Sequence, residues 1–214
     1  MPSISERVVA AAAEVFAGQG LGATVADVAE HAGVGVGTVY RRFANKDDLI
    51  YEVYADRVRA VEGMAAAAST AADPWLGFVS FWEGSLPPLV ADRGLRELLT
   101  VGFSRPLGWA RGTPPVRLGE LLEHNHHAMG AHLIELVRRA KLAGALREDF
   151  QASDVMVLAL TVHTTIALGG TERPDLYRRT LGFILDGLQP ARAATTPLTA
   201  RTLSDADLVA MSRR

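Results

Sequence analysis

Apolar residues recur at three- and four-residue intervals along most of this chain, the spacing of one helix face after another. Ile4, Val8, Ala12, Val15 and Phe16 predict a first helix that ends near Gly18 to Gly20. Val25, Val28 and Ala29 predict a short second helix, and Val34, Val39 and Phe43 a third. Leu49, Ile50, Val53, Val58 and Val61 then mark a long helix over 46–68, with Asn45 as its N-cap and Asp48 at the third helical position. Residues 65–73 turn rich in Ala, Ser and Thr and end at Pro74, which marks a joint. Beyond it, Trp75, Phe78, Val79, Trp82 and Leu86 share a face until Pro87-Pro88, which should stop the helix. Further helices are predicted over 93–103, over 116–143 before Gly144, over 154–168 with Ser153 as cap, and over 174–188 with Pro174 in the first turn. Residues 104–115 read as a Pro- and Gly-rich loop, and 189–214 as a tail. No alternating strand pattern of convincing length and no internal repeat is visible, so the predicted fold is all-α.

The stretch 24–46, TVADVAEHAGVGVGTVYRRFANK, carries more than periodicity. Thr24 with Asp27 three residues later has the form of a capping box at a helix start. Gly33 stands where the chain must turn sharply, a position that favours the one residue free to adopt positive φ. Ala29 is small where two helices would cross, and Val39 would lock the second onto the first. This is a helix-turn-helix, a unit whose second helix lies in the DNA major groove.

The fragment TVADVAEHAGV, followed by GTVYRRF at 37–43 and NKDDL at 45–49, resembles the TetR-type one-component bacterial repressors. The resemblance covers about the first quarter of the chain by motif, and the remainder by length and helical order only. It implies three short helices, a long connector and a larger bundle that dimerises and, in most members, holds a small molecule. It implies that Thr24 touches phosphate through its hydroxyl and neighbouring N–H groups, that Thr38 and Tyr40 contact the duplex, and that Lys46 grips a phosphate. Val36 and Gly37 stand where base-reading residues often sit, yet offer only a small apolar contact and a close backbone approach. Arg41 is then the candidate for bidentate pairing with guanine, and Arg42 for phosphate. The weaker alternative is that Arg41 and Arg42 form a plain solvated face and that Tyr40 covers the helix crossing.

Composition narrows the picture. The 214 residues are 49% hydrophobic and 21% charged, enough for one or two domains with a sizeable core. The absence of cysteine excludes disulfides and thiol catalysis and fits a reducing compartment. The first residues lack the layout of a secretion signal, and no apolar run is long enough to cross a bilayer, so a soluble cytoplasmic protein is expected. Net charge is −2, and residues 1–50 carry four basic against six acidic side chains. A DNA-binding surface must therefore be local, centred on Arg41, Arg42 and Lys46.

In the larger part, Trp75, Phe78, Phe81, Trp82, Phe103 and Trp109 are core by default, although a pocket among bundle helices is a common ligand site. Asn125 and His126 fall on the apolar face that also carries Met129, and His163 lies in an otherwise apolar helix. Each must face a ligand cavity or bond a neighbouring group. Phe78, Trp82, Phe103, Trp109, Asn125, His126, Met129 and His163 are the candidate effector residues. The run His124-Asn125-His126-His127 with His132 suggests metal, but no pair among 124, 126 and 127 is four apart, so no metal site or cofactor is expected. No nucleophile elbow, phosphate loop or metal-protease motif points to an enzyme. The last two large helices carry Leu158, Val162 and Ile166, then Tyr177, Leu181, Ile184 and Leu188, with small Ala159, Gly182 and Gly187. The resemblance assigns them to a homodimer interface; burial within one subunit is the other reading.

The division expected is a DNA-binding domain over 1–46, a regulatory and dimerisation domain over 47–188 and a tail over 189–214. The function expected is a dimeric regulator, a repressor of a near-palindromic operator released by a small molecule. The rival is a helical protein that binds a small molecule or metal, or an enzyme, with a helix-turn-helix that reads nothing.

Overall fold

A computed structural model of the chain describes residues 3–103 and 116–190. Among these residues there are nine helices and no strand. They are α1 (Ile4–Gln19), α2 (Val25–Ala32), α3 (Val36–Tyr40), α4 (Lys46–Thr70), α5 (Pro74–Ala91), α6 (Arg93–Phe103), α7 (Val116–Leu142), α8 (Ala152–Gly169) and α9 (Tyr177–Leu188). α1 packs on α2, α2 on α3, and α1 also lies against α4 and α6. α4 pairs along its length with α7 and α5, and α8 pairs with α9.

The starts of the first helices follow from local chemistry. Ser3 caps α1, accepting from the Glu6 N–H at 3.2 Å, while Glu6 accepts from the Ser3 N–H at 2.6 Å. Val8, Ala12 and Phe16 are fully buried, whereas Ile4, placed on the same face by spacing, is 42% exposed because it lies in the first turn, beyond the packed part of the helix. Asn45 caps α4 through the Asp48 N–H at 2.9 Å, as the sequence predicts.

The far end of α4 runs two residues past expectation. Arg139 of α7 reaches across and donates to the carbonyls of Ser69 at 2.6 Å and Ala71 at 2.7 Å, satisfying groups a helix terminus leaves bare.

Pro87 and Pro88 do not stop α5, which continues to Ala91. The carbonyls that lose their partners belong to Glu83 and Gly84, both exposed and open to water. Leu86 and Leu89, nearly fully buried, hold the last turn in place. α8 begins one turn's fraction earlier than expected: Gln151, not Ser153, is its N-cap, its N–H held by Asp154 at 2.8 Å. α9 begins at Tyr177 and not at Pro174, because residues 171–176 are spent on turns closed by Arg173 N–H to Gly169 O at 2.9 Å and Leu176 N–H to Arg173 O at 3.1 Å.

Several residues assigned by resemblance to a subunit interface are core of the single chain. Val162, Ile166, Tyr177, Leu181 and Leu188 are all buried here. The outward faces of α8 and α9 instead present Val157, Leu168 and Phe183. α8 has a mean hydropathy of 1.4 and by length and composition alone could span a bilayer, although Asp154 and His163 interrupt its apolar run. Its threonines add little polarity: Thr161, Thr164 and Thr165 donate to the carbonyls four residues back at 2.9–3.0 Å.

Candidate nucleic-acid interface and regulatory core

The helix-turn-helix is fixed by three short-range devices. Thr24 caps α2: its hydroxyl accepts from the Asp27 N–H at 3.2 Å and donates to the Asp27 carboxylate at 2.8 Å. Gly33 ends α2 in the left-handed region at φ 66°, and its N–H meets the carbonyls of Ala29 and Glu30. Ala29 and Val39 are each 1% exposed where α2 and α3 cross. From α1, Arg7 donates to the Ala32 carbonyl at 3.0 Å, placing a cation at the negative end of α2. His31 and Glu14 join α2 to α1 at 2.6 Å.

This packing leaves one face of α3 outward. Val36 is 39% and Tyr40 53% exposed, so Tyr40 does not cover the crossing. Gly37, Arg41 and Arg42 are exposed and Thr38 half-buried. α3 is only five residues long, so Arg41 forms its C-cap and folds back to donate to the Thr38 hydroxyl at 2.9 Å. Arg42 turns toward α1 and donates to Ser5 at 3.2 Å. A β-carbon at Gly37 would meet nothing within 4 Å, so the fold itself does not require glycine there.

Two other candidates are engaged within the chain. The Thr24 N–H donates to Asp27 at 2.6 Å, so both groups expected at a phosphate are occupied by a carboxylate. Those hydrogen bonds, the backbone one first, hold the Asp27 carboxyl below its usual range. Lys46 is half-buried and donates to the Leu21 carbonyl. Burial pulls its pKa down, against the opposing pull of Asp47, Asp27 and Glu97.

In the bundle, Phe78 and Trp82 are almost fully buried. Phe78 stacks on Trp75 at 5.9 Å and meets Trp82 and Phe150 edge-on at 6.3 and 6.2 Å. The Trp82 indole N–H is buried with no hydrogen-bond partner among the described residues, a loss of about 1–3 kcal/mol for an unsatisfied donor. Asn125 donates to the Val58 carbonyl at 3.2 Å, tying α7 to α4. Met129 is buried and His126 half-buried on the same helix. His163 meets the Thr100 hydroxyl at 3.0 Å. Burial, and then Arg96, lowers the His163 pKa to about 4. Phe103 closes α6, and Trp109 lies outside the described residues. A surface groove of about 660 Å³ lies elsewhere, between α1 and α4, lined in part by Ser5, Arg42, Phe43 and Arg57.

Among the described residues no group of three or more His, Cys, Asp or Glu side chains could hold a metal ion. His124 lies 3.9 Å from Glu62, His127 meets the Glu123 carbonyl at 2.8 Å, and His132 approaches Ser69 at 3.5 Å.

Sequence reasoning missed the cluster where α4 meets the α5–α6 junction. Buried Asp92 accepts from the Tyr54 hydroxyl and from the Leu95 N–H, each at 2.8 Å, and from the Arg57 guanidinium. Burial, and then the bond to Asp92, pushes the Tyr54 pKa up. Arg117 of α7 lies over the Tyr51 ring at 4.0 Å. The Tyr54 and Arg57 bonds to Asp92 span 35 or more residues, so no local pattern announces them.

An exposed reading helix braced by two others, joined through one long helix to a bundle, defines a DNA-binding regulator. Residues 8–53 match the family of bacterial regulatory proteins, tetR family, and residues 73–190 match the SbtR-like C-terminal domain of transcriptional regulators. The chain belongs to the TetR family of transcriptional regulators. It is similar to a TetR regulatory protein from Mycobacterium vanbaalenii, at 29% identity over 86% of this chain and 93% of that one, with a TM-score of 0.52. The fold is also shared with PfmR from Thermus thermophilus, at 18% identity over 89% and 100% of the chains, TM-score 0.64. FadR from Bacillus subtilis, solved in complex with stearoyl-CoA, is 17% identical over 84% and 95%, TM-score 0.57. A comparison with curated proteins returns no match.

Proposed function

We propose that this regulator is a homodimeric repressor of a near-palindromic operator, released by a largely apolar small molecule, and that it acts by binding and not by turnover. The observation that carries the reading is the outward face of α3, with Arg41 laid along the helix onto Thr38. Two such faces related by a twofold axis fit successive major-groove segments. The proposed DNA contacts are Thr24, Val36, Gly37, Thr38, Tyr40, Arg41, Arg42 and Lys46. Lys46 and the Thr24 amide must exchange Leu21 and Asp27 for phosphate when DNA arrives.

Residues 1–46 form the head, 47–188 the regulatory unit and 189–214 a tail. Apolar Val157, Leu168 and Phe183, left outward by α8 and α9, support a second copy of the chain as partner, and this also accounts for the hydropathy of α8 without a membrane. The effector site proposed is the core around Phe78, Trp82, Asn125, His126, Met129 and His163; Phe103 and Trp109, whose side chains lie outside the described residues, are proposed with them on the sequence alone. The unsatisfied Trp82 N–H supports an effector with one acceptor set in an apolar body. FadR from Bacillus subtilis, solved in complex with stearoyl-CoA, supports an effector with a long apolar chain. Binding to operator DNA implies a cytoplasmic protein.

The test is anisotropy with a duplex that the full-length protein enriches from a random pool. Affinity should fall steeply with salt, by roughly 0.9 log units per phosphate contact for each log unit of salt. Lys46→Ala should weaken all duplexes alike. An effector that releases DNA must bind the released state more tightly. If Trp82→Ala and His126→Ala leave the affinity of every releasing compound unchanged, the effector site lies elsewhere. A wild-type protein that enriches no duplex would return the rival reading.

A further inference from the structure

α6 belongs to the regulatory bundle, yet it touches the DNA head directly. The Glu97 carboxylate accepts from the Leu21 N–H at 2.7 Å, across 76 residues of sequence. Its other oxygen is held by Arg93 at 2.6 Å, one helical turn back. Leu21 is gripped from its other side as well, because Lys46 at the start of α4 donates to the Leu21 carbonyl. Leu21 stands three residues before Thr24, the cap of α2. Before DNA arrives, one residue of the α1–α2 turn is thus held between a carboxylate of α6 and an ammonium of α4, and the Glu97 bond is the one that remains when Lys46 turns to phosphate.

Two glycines permit this approach. Gly20 has φ 81°, and a β-carbon there would lie 2.5 Å from Glu97 Oε1 and 2.7 Å from Arg93 Nε. A β-carbon on Gly94 would lie 2.9 Å from the Phe16 carbonyl of α1. At Gly94 the α6 backbone lies closer to that of α1 than a side chain there would permit, while at Gly20 the space is taken by the side chains of Glu97 and Arg93. Three residues beyond Glu97, Thr100 gives its hydroxyl proton to the Arg96 carbonyl at 2.7 Å. The same hydroxyl lies 3.0 Å from His163 Nδ1, a hydrogen bond that joins α6 to α8. α6 is consequently fastened to α8 near one end and to the head near the other.

We propose that Glu97 is a positioning residue for operator recognition: by holding the Leu21 amide it sets the angle of the helix-turn-helix against the bundle, and hence the spacing between the two heads of a dimer. The inference rests on the operator-binding reading and not on any particular effector.

The experiment uses the full-length protein and a duplex it has enriched from a random pool, together with versions lengthened or shortened by one base pair between half-sites. Glu97→Ala should bind the enriched duplex about tenfold more weakly, the effect of one lost charge-assisted hydrogen bond, and should lose its preference for the original spacing while remaining dimeric. Glu97→Gln keeps an acceptor for the Leu21 amide and should recover most of both. Amide exchange at Leu21 should quicken in Glu97→Ala, while that at Leu49 stays slow. Unchanged affinity and spacing preference in Glu97→Ala, or equal weakening on every spacing, would overturn the inference. Arg93→Met loosens the carboxylate without removing it and should give a milder loss of spacing preference. It carries the test if the alanine variant does not fold, and unchanged preference there is likewise fatal to the inference. A wild-type protein that enriches no duplex overturns the operator-binding reading itself, whereas a wild type that binds alongside an indifferent Glu97→Ala overturns the positioning role alone.

Discussion

Arg41 lies back along α3 and donates to the Thr38 hydroxyl at 2.9 Å, so the two outward polar groups of the reading helix form one unit. The pairing holds a flexible guanidinium near one orientation, which would lower the entropy lost in the base contact proposed for it. Arg41→Ala should cost about 1–3 kcal/mol on the preferred operator and flatten the difference between it and single-base variants. Equal loss on specific and random duplexes would remove Arg41 from base reading and leave it a phosphate contact.

Gly37 separates stability from recognition. Its place in α3 costs helix stability relative to alanine, and no described residue occupies the space a methyl group would take. Gly37→Ala should raise the unfolding free energy by about 0.5–1 kcal/mol in urea titrations. The same methyl group should reduce operator affinity severalfold if the backbone approaches DNA there. A variant more stable and equally tight would show that DNA keeps its distance from residue 37.

His163 gives a defined response to acid. Its pKa is lowered to about 4 in the folded chain, against about 6.5 in the unfolded one, so between these values the unfolded chain binds more protons. The stabilisation is complete above about pH 6.5, declines as pH falls toward 4 and is gone below that. Urea titrations from pH 7 to 4.5 should show wild type losing roughly 2–3 kcal/mol more than His163→Gln. Carboxylates titrate in both proteins, so parallel curves would mean that the imidazole is not shielded from water.

Leu168 is 80% and Phe183 68% exposed on α8 and α9. Leu168→Lys and Phe183→Lys should each shift sedimentation toward the monomer with little change in helix content, since neither side chain is packed within the subunit. Val162→Ala instead empties a fully buried site and should lower stability by about 1–3 kcal/mol. Dimers that survive both lysine substitutions would move the interface to another face.

What could be seen in the sequence was what a few neighbouring residues decide. Thr24 with Asp27, Gly33 and Asn45 with Asp48 are local devices, and each sits where its pattern placed it. Pro87-Pro88 misled because a local rule met a long-range fact: Leu86 and Leu89 are anchored in the core, and the broken hydrogen bonds face water. The apolar stripes of α8 and α9 misled in another way, since hydrophobicity does not say whether a residue meets its own chain or another. Asn125 and His163 were visible as polar intrusions, but their partners, Val58 and Thr100, lie more than 60 residues away. Glu97 gave no signal at all, because an acid in an amphipathic helix looks the same whether it faces solvent or a distant backbone amide, and nothing near Asp92 in sequence points to Tyr54 or Arg57.

The 25 residues of α4 are gripped at opposite ends by different parts of the molecule, Lys46 on Leu21 at one and Arg139 on the final carbonyls at the other. A rod of that length measures about 37 Å. Tilting it by about five degrees around the arginine carries the opposite tip through about 3 Å, close to the roughly 3.4 Å step between stacked bases. A leverage of that kind means the bundle has to rearrange only slightly for a head to fall out of step with its half-site.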